Sequence, residues 1–328
     1  MDFTIQLVGI PYQLNLRFNS VRDLENTCTP NTFLVILKQT HPYKEQNMKI
    51  FDAHMHFSNV QAFYGAADES GVDYSYDGYI KEREQAGIVG RICMGLVETS
   101  RFAFPDNNAP NPMFADLADI PPNFYTCLGI NPHTLDDDAL QRIRSTIKAD
   151  NRIVGFKIFA GYYHYYVHDP IYHPIYEIAA EHGLTVAIHT GDTYSEQGLL
   201  EYSHPLAADR IATAFRDTKF LLCHMGDPWI MDACEVAYKN RNVYLDISGL
   251  LAGDDALIAA TEKRELVMAH YTLGLQYLNN YKRALFGTDW PIVPMKSYVE
   301  FCKKIVPPHT YEDVFYNNAF DVYKIQKI

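Results

Sequence analysis

The sequence predicts a closed barrel of eight parallel β-strands alternating with α-helices, an α/β fold of the TIM-barrel kind, behind a short N-terminal extension. Three observations carry this. Eight short, nearly continuous apolar runs follow one another between residues 50 and 290, and segments of helical period separate them. Polar residues gather at the C-terminal ends of the runs. Continuous hydrophobicity marks strands buried on both faces, as parallel strands are. A doubly wound open sheet is the alternative, but no GxGxxG turn follows the first run.

Residues 1–47 precede the regular pattern and hold one apolar run, "TFLVILKQT", in otherwise polar, turn-rich sequence. They read as an N-terminal extension of uncertain structure, with residues 48–328 as the catalytic barrel. The eight runs are "IFDAHMHF", "VGRICMGL", "FYTCLGI", "IVGFKIF", "LTVAIHT", "KFLLCHMG", "VYLDISG" and "ALFGTDW". Between them, "TLDDDALQRIRSTIKAD" spaces Leu140, Ile143 and Ile147 by three and four, with acids in its first turn. "HPIYEIAAEHG" has Pro174 near its start and Gly183 just past its end. "HPLAADRIATAF" and "PWIMDACEVAYKN" follow the same period.

The composition is that of an ordinary soluble, folded chain: 48% hydrophobic, 21% charged, with a net charge of −12. That balance argues against a nucleic-acid or anionic-membrane partner, and no run approaches the length of a membrane span. The six cysteines are scattered without a CxxC pair, which predicts reduced thiols and a cytoplasmic location. No basic n-region of a signal peptide opens the chain.

Residues two apart on a strand share a face. Asp52, His54 and His56 therefore point one way, and Ala53, Met55 and Phe57 the other. The same parity aims Lys157, His189, His224 and Asp289 inward, each near the C-terminal end of its run, the end that carries barrel active sites. Buried polar groups in such number need a compensating partner. Two imidazoles at i and i+2 with a carboxylate suit a divalent cation, zinc first. A lone buried histidine is more often a satisfied core residue; the whole set points to metal.

Taken together, "FDAHMHF", "VGFKIF", "AIHTGD", "LLCHMG", "VYLDISG", "FGTDWP" and the closing "YEDVFYNNAFDVYKI" resemble the amidohydrolase superfamily, in its amidohydrolase-related branch, over about residues 49 to 326. The resemblance implies His54, His56, His189 and Asp289 as metal ligands. It implies His224 as a catalytic or substrate-polarising residue, or as a ligand of a second metal bridged by carboxylated Lys157. One Zn2+ is the favoured content, with Mn2+ as the alternative. The simpler role for Lys157 is an ammonium paired to an inward carboxylate such as Asp52.

Such a centre predicts a metal-dependent hydrolase acting through activated water on an amide, ester or lactone carbonyl, with Asp289 moving the proton and His224 stabilising the oxyanion. The resemblance also implies a runner-up, non-oxidative decarboxylase or lyase chemistry on an aromatic or unsaturated acid. A phosphoesterase and an inactive scaffold are weaker alternatives. For the small-molecule substrate, Arg101 could bind a carboxylate, and Tyr162 and Tyr163, in the tyrosine-rich "AGYYHYYVHDPIYH", could form an aromatic wall or lid. Trp290 beside Asp289 is expected to shape the pocket floor. Asp246 and Ser248 have inward parity and could orient the ligands. Tyrosine-rich loops also suit a contact between copies in a homo-oligomer.

Overall fold

The computed structural model describes residues 3–6, 15–18, 36–38, 48–57, 61–96 and 124–328. The chain divides into two units, Met1–Gln46 and Asn47–Ile328. In the first, β1 (Phe3–Gln6), β2 (Asn15–Phe18) and β3 (Ile36–Lys38) pair antiparallel in the order β2-β1-β3. β3 lies within the apolar run seen in the sequence.

The second unit holds β4 (Ile50–Met55), β5 (Ile88–Met94), β6 (Phe124–Ile130), β7 (Ile153–Ile158), β8 (Thr185–Ile188), β9 (Lys219–Leu222), β10 (Val243–Asp246) and β11 (Ala284–Leu285). They form one eight-stranded parallel sheet in which each strand neighbours the next in sequence. The ring closes through the segment after β11. Ala53 N donates to Phe286 O at 3.0 Å, His56 N to Trp290 O at 2.7 Å, and Asp289 N to His54 O at 2.8 Å. This is the TIM barrel that the run pattern predicts.

The intervening helices have the ends their sequences dictate. Asp136 caps helix Asp137–Ala149 by accepting from Ala139 N, and Gly183 closes helix His173–His182 in the left-handed conformation that a residue without Cβ adopts readily. Helix Met295–Ile305 buries Met295, Tyr298, Val299, Phe301, Cys302 and Ile305 on one face, each such side chain worth roughly 1.5–3 kcal/mol.

Two apolar layers position the site. Phe156, Ile158, Val186, Ile188, Phe220 and Leu222 pack outward among the helices. Cys127, Val154, Ala187, Leu221, Cys223 and Leu285 form an inner layer with Phe320, Val322 and Tyr323 of the last helix. That helix seals the end at which the strands begin: Thr185 Oγ1 donates to Val322 O at 2.9 Å, and Lys219 Nζ to Asp321 O at 2.7 Å. The opposite end is left for chemistry.

Three runs end as strands earlier than the sequence pattern suggests. Regular strand stops at Ile188, Leu222 and Leu285, before His189, His224 and Asp289. His224 and Asp289 both have φ of 61°, in the left-handed region that breaks a strand and that side chains with a Cβ rarely adopt. Parity alone would place Cys223 outward, yet its thiol faces inward; the left-handed turn brings His224 to the same side.

Candidate metal centre and active site

β4 supplies the first ligand candidates. His54 Nε2 and His56 Nε2 lie 3.2 Å and 3.0 Å from Asp289 Oδ1. The approach makes no hydrogen bond, and Oδ1 is buried without any hydrogen-bond partner. Two imidazole nitrogens and a carboxylate oxygen thus converge on one another, an arrangement that a positive centre, proton or metal ion, resolves. All three residues are buried, and their ligand atoms are close enough together to hold a divalent metal ion.

The opposite edge of His54 is fixed by β10. Asp246 Oδ2 accepts from His54 Nδ1 at 2.9 Å, while its Oδ1 accepts from His224 N at 2.9 Å and from the Ser248 hydroxyl. A carboxylate on Nδ1–H leaves the Nε2 lone pair free for the centre. Burial and the Lys157 charge oppose a proton on His54, yet Asp246 and Asp289 hold its pKa well above the usual value. A positive centre on that ring is what the arrangement favours, whether proton or metal ion.

Burial pushes the His224 pKa down to about 4 and holds His56 and His189 below the ordinary imidazole value. Burial alone would raise the Asp289 carboxyl, but the charges of His54 and His224 keep it well below its usual range. Near pH 7 the centre therefore has neutral His56, His189 and His224 beside ionised Asp289, states that ligation requires.

The remaining candidates are placed as follows. His189 stands beside the converging trio rather than in it: its Nε2 donates to Asp192 O at 2.8 Å and its Nδ1 is 3.2 Å from His224 Nε2. His224 Nδ1 lies 3.8 Å from Asp289 Oδ2, so Asp289 links the trio to His224. Lys157 Nζ is 3.2 Å from Cys223 Sγ and 3.4 Å from His54 Nε2. It does not pair with Asp52, as the sequence suggested. Asp52 instead accepts from Thr288 N at 2.9 Å and Thr288 Oγ1 at 2.6 Å, tying β4 to the closing segment, and burial pushes its pKa up to about 6. Arg101 lies outside the described residues.

The amidohydrolase family model matches residues 51–325. The chain belongs to the amidohydrolase family. No curated protein matches it. Among solved structures it is similar to an uncharacterized TIM-barrel protein from Bordetella bronchiseptica, at 20% identity and a TM-score of 0.64, covering 84% of this chain and 98% of that one. It is also similar to 2,6-dihydroxybenzoate decarboxylase from Rhizobium, at 14% identity and a TM-score of 0.58, covering 85% and 99%. A third is 5-carboxyvanillate decarboxylase from Novosphingobium aromaticivorans, complexed with manganese, at 13% identity and a TM-score of 0.55, covering 86% and 97%. At these identities the likeness is one of fold.

In this amidohydrolase a cavity opens over the centre, lined by His56, Lys157, His189, His224 and Asp289 and walled by Phe63, Phe159, Tyr162, Tyr194 and Ile292. Of the five tyrosines in the loop after β7, Tyr162 is on the wall, its hydroxyl accepting from Tyr194 N at 2.8 Å. Tyr163 is buried behind the wall against Leu96 and Phe159. Trp290 likewise backs the site, fully buried among Phe57, Tyr74 and Tyr79. Phe63, Tyr194 and Ile292 carry no motif, Phe159 closes the run "IVGFKIF", and sequence reasoning singled out none of the four as lining the site.

Two smaller predictions follow from this geometry. Asp246→Asn should weaken metal binding 10–100-fold, the range found for such supporting partners. The amide N–H₂ turned to His54 Nδ1 would drive the imidazole proton to Nε2, the atom the metal needs. Titration of apo protein with zinc would show it; unchanged affinity would remove Asp246 from this role.

The second concerns acid. His224 takes a proton near pH 6.5 when unfolded and near pH 4 when folded. Its contribution is thus full above 6.5 and is lost as pH falls toward 4, on the order of 3 kcal/mol. Metal-stripped protein should melt lower at about pH 4.5 than at pH 7.5, and His224→Asn should narrow the gap. Equal gaps in both proteins would exclude His224 as the cause.

Proposed function

We propose that this amidohydrolase is a metal-dependent hydrolase of an amide, ester or lactone carbonyl in a small, flat molecule. The carrying observation is the division of the Asp289 carboxylate. Its Oδ1 faces the two imidazoles of β4, while its Oδ2 faces His224 across 3.8 Å. His54, His56 and Asp289 would hold one Zn2+, with Mn2+ as the alternative. When bound, the ion supplies Lewis acidity toward a carbonyl and acidifies water at neutral pH.

The chain's own groups do the rest. Asp289 Oδ2 takes a proton from water and returns it to the leaving group. His224 Nε2, now 3.2 Å from His189 Nδ1, can turn a donor N–H toward the developing oxyanion. Phe63, Phe159, Tyr162 and Tyr194 exclude water and favour a flat substrate. Among the described residues the two convergent groups, His54–His56–Asp289 and His54–Cys223–His224, share His54, which supports one metal rather than two.

One observation favours a second reading, decarboxylation of an aromatic acid. Lys157 lines the cavity, and among the described residues no carboxylate forms an ion pair with it. A substrate carboxylate would fill that place. Metal-loaded protein should be offered matched aryl lactones, esters, amides and hydroxybenzoates, with acid release and dissolved CO2 followed together. Hydrolysis without CO2 is the expected result. CO2 from a hydroxybenzoate without hydrolysis would transfer the assignment to the second reading, and no turnover of any class would overturn both.

A further inference from the structure

We propose that Lys157 and Cys223 form a reversible covalent link on oxidation, an S–N bond between Cys223 Sγ and Lys157 Nζ beneath the active-site cavity. The two atoms are already in contact at 3.2 Å, and both side chains are fully buried. No disulfide engages Cys223. The thiols of Cys93 and Cys302 face the backbone carbonyls of Phe57 and Ile247 instead, each at 3.9 Å. Lys157 is held by no ion pair among the described residues; besides Cys223 Sγ, its amine meets His54 Nε2 at 3.4 Å. Because Lys157 lines the cavity, a small oxidant that enters there arrives beside its amine, 3.2 Å from the sulfur.

Hydrogen peroxide, or another peroxide, supplies the oxidation. Its O–O bond breaks and an S–O bond forms, converting the thiol to a sulfenic acid and releasing one water. Lys157 Nζ then attacks sulfur. The S–N bond forms, the S–O bond breaks, and hydroxide leaves with an amine proton as a second water. Sulfur is oxidised by two electrons and peroxide is reduced. A sulfenic acid condenses in this way with a nitrogen held beside it, and an external thiol reverses the step.

The link fixes a nitrogen that lies 3.4 Å from His54 Nε2. It would therefore act on the metal centre itself while sparing the thiol from irreversible oxidation. The structure thus assigns this pair a protective and regulatory role, whatever the substrate.

The test is peptide mass spectrometry of the full chain after graded hydrogen peroxide, with and without later dithiothreitol. The expected product is the Lys157 peptide joined to the Cys223 peptide, lighter than their sum by two hydrogens and separated again by dithiothreitol. Lys157→Met should lose the link and carry Cys223 onward to sulfinic acid at lower peroxide. Cys223 going to sulfinic or sulfonic acid in the wild type without a link would overturn the proposal. So would an unmodified Cys223 when other cysteines are oxidised. The wild-type measurement stands even where a variant does not fold, and it reads neither substrate nor turnover.

Discussion

Asn in place of Asp289 is expected to empty the centre of its metal and to lower turnover by about three orders of magnitude, the scale of several kcal/mol of lost charge stabilisation. Asp289 Oδ1 is the anionic atom that both β4 imidazoles meet, at 3.2 Å and 3.0 Å. An amide in its place presents either a neutral oxygen or an N–H₂, and neither offsets a divalent charge in a buried site. Oδ2 also loses its capacity to carry a proton. Elemental analysis of protein purified without chelator should show one divalent ion per wild-type chain and little in the variant, with far-ultraviolet circular dichroism unchanged. Full metal content in Asp289→Asn would refute its place as a ligand, and a full rate would refute its place in catalysis.

Gly249→Ala is expected to lower turnover about a hundredfold while leaving most of the metal bound. Gly249 has φ of 58°, and a Cβ added there would stand 2.6 Å from both Asp289 Oδ2 and His224 Nδ1. Neither neighbour can yield freely. Asp289 N is bonded to His54 O, and His224 N to Asp246 Oδ1. The methyl group therefore separates the proton carrier from the oxyanion donor, and displacements of about 1 Å at reacting groups cost on the order of 10²-fold. The left-handed backbone adds roughly 1–2 kcal/mol of destabilisation, visible as a lower melting temperature. Oδ1 faces away from the intrusion, so the trio keeps its ion. A variant with wild-type turnover would remove the Asp289–His224 pairing from the mechanism.

Much of the barrel could be read from the chain because its parallel strands are buried on both faces. Burial writes itself into sequence as runs of apolar residues, and all eight runs contain a strand of the closed sheet. His54 and Lys157 were aimed correctly by strand parity because both lie within regular strand. His224 and Asp289 come to the same cavity by another route. Their strands have ended, and left-handed backbone turns each side chain inward. Parity gave the right direction for these two residues without the right cause, and it misdirected Cys223. The aromatic wall was only partly visible: Tyr162 reaches it, while Tyr163 is spent on packing behind it.

Local pattern by itself determined the fold class, the end of the barrel that bears polar side chains, and the two β4 histidines that meet Asp289. These depend on residue type and on a period of two or of 3.6, which short sequence windows contain. Only the tertiary structure decided the partners: Asp246 behind His54, Thr288 on Asp52, and Cys223 rather than a carboxylate beside Lys157. Those pairs join residues 66 to 236 positions apart. No periodicity links such distant positions; the closing of the ring and the packing of its interior bring them within a few ångströms.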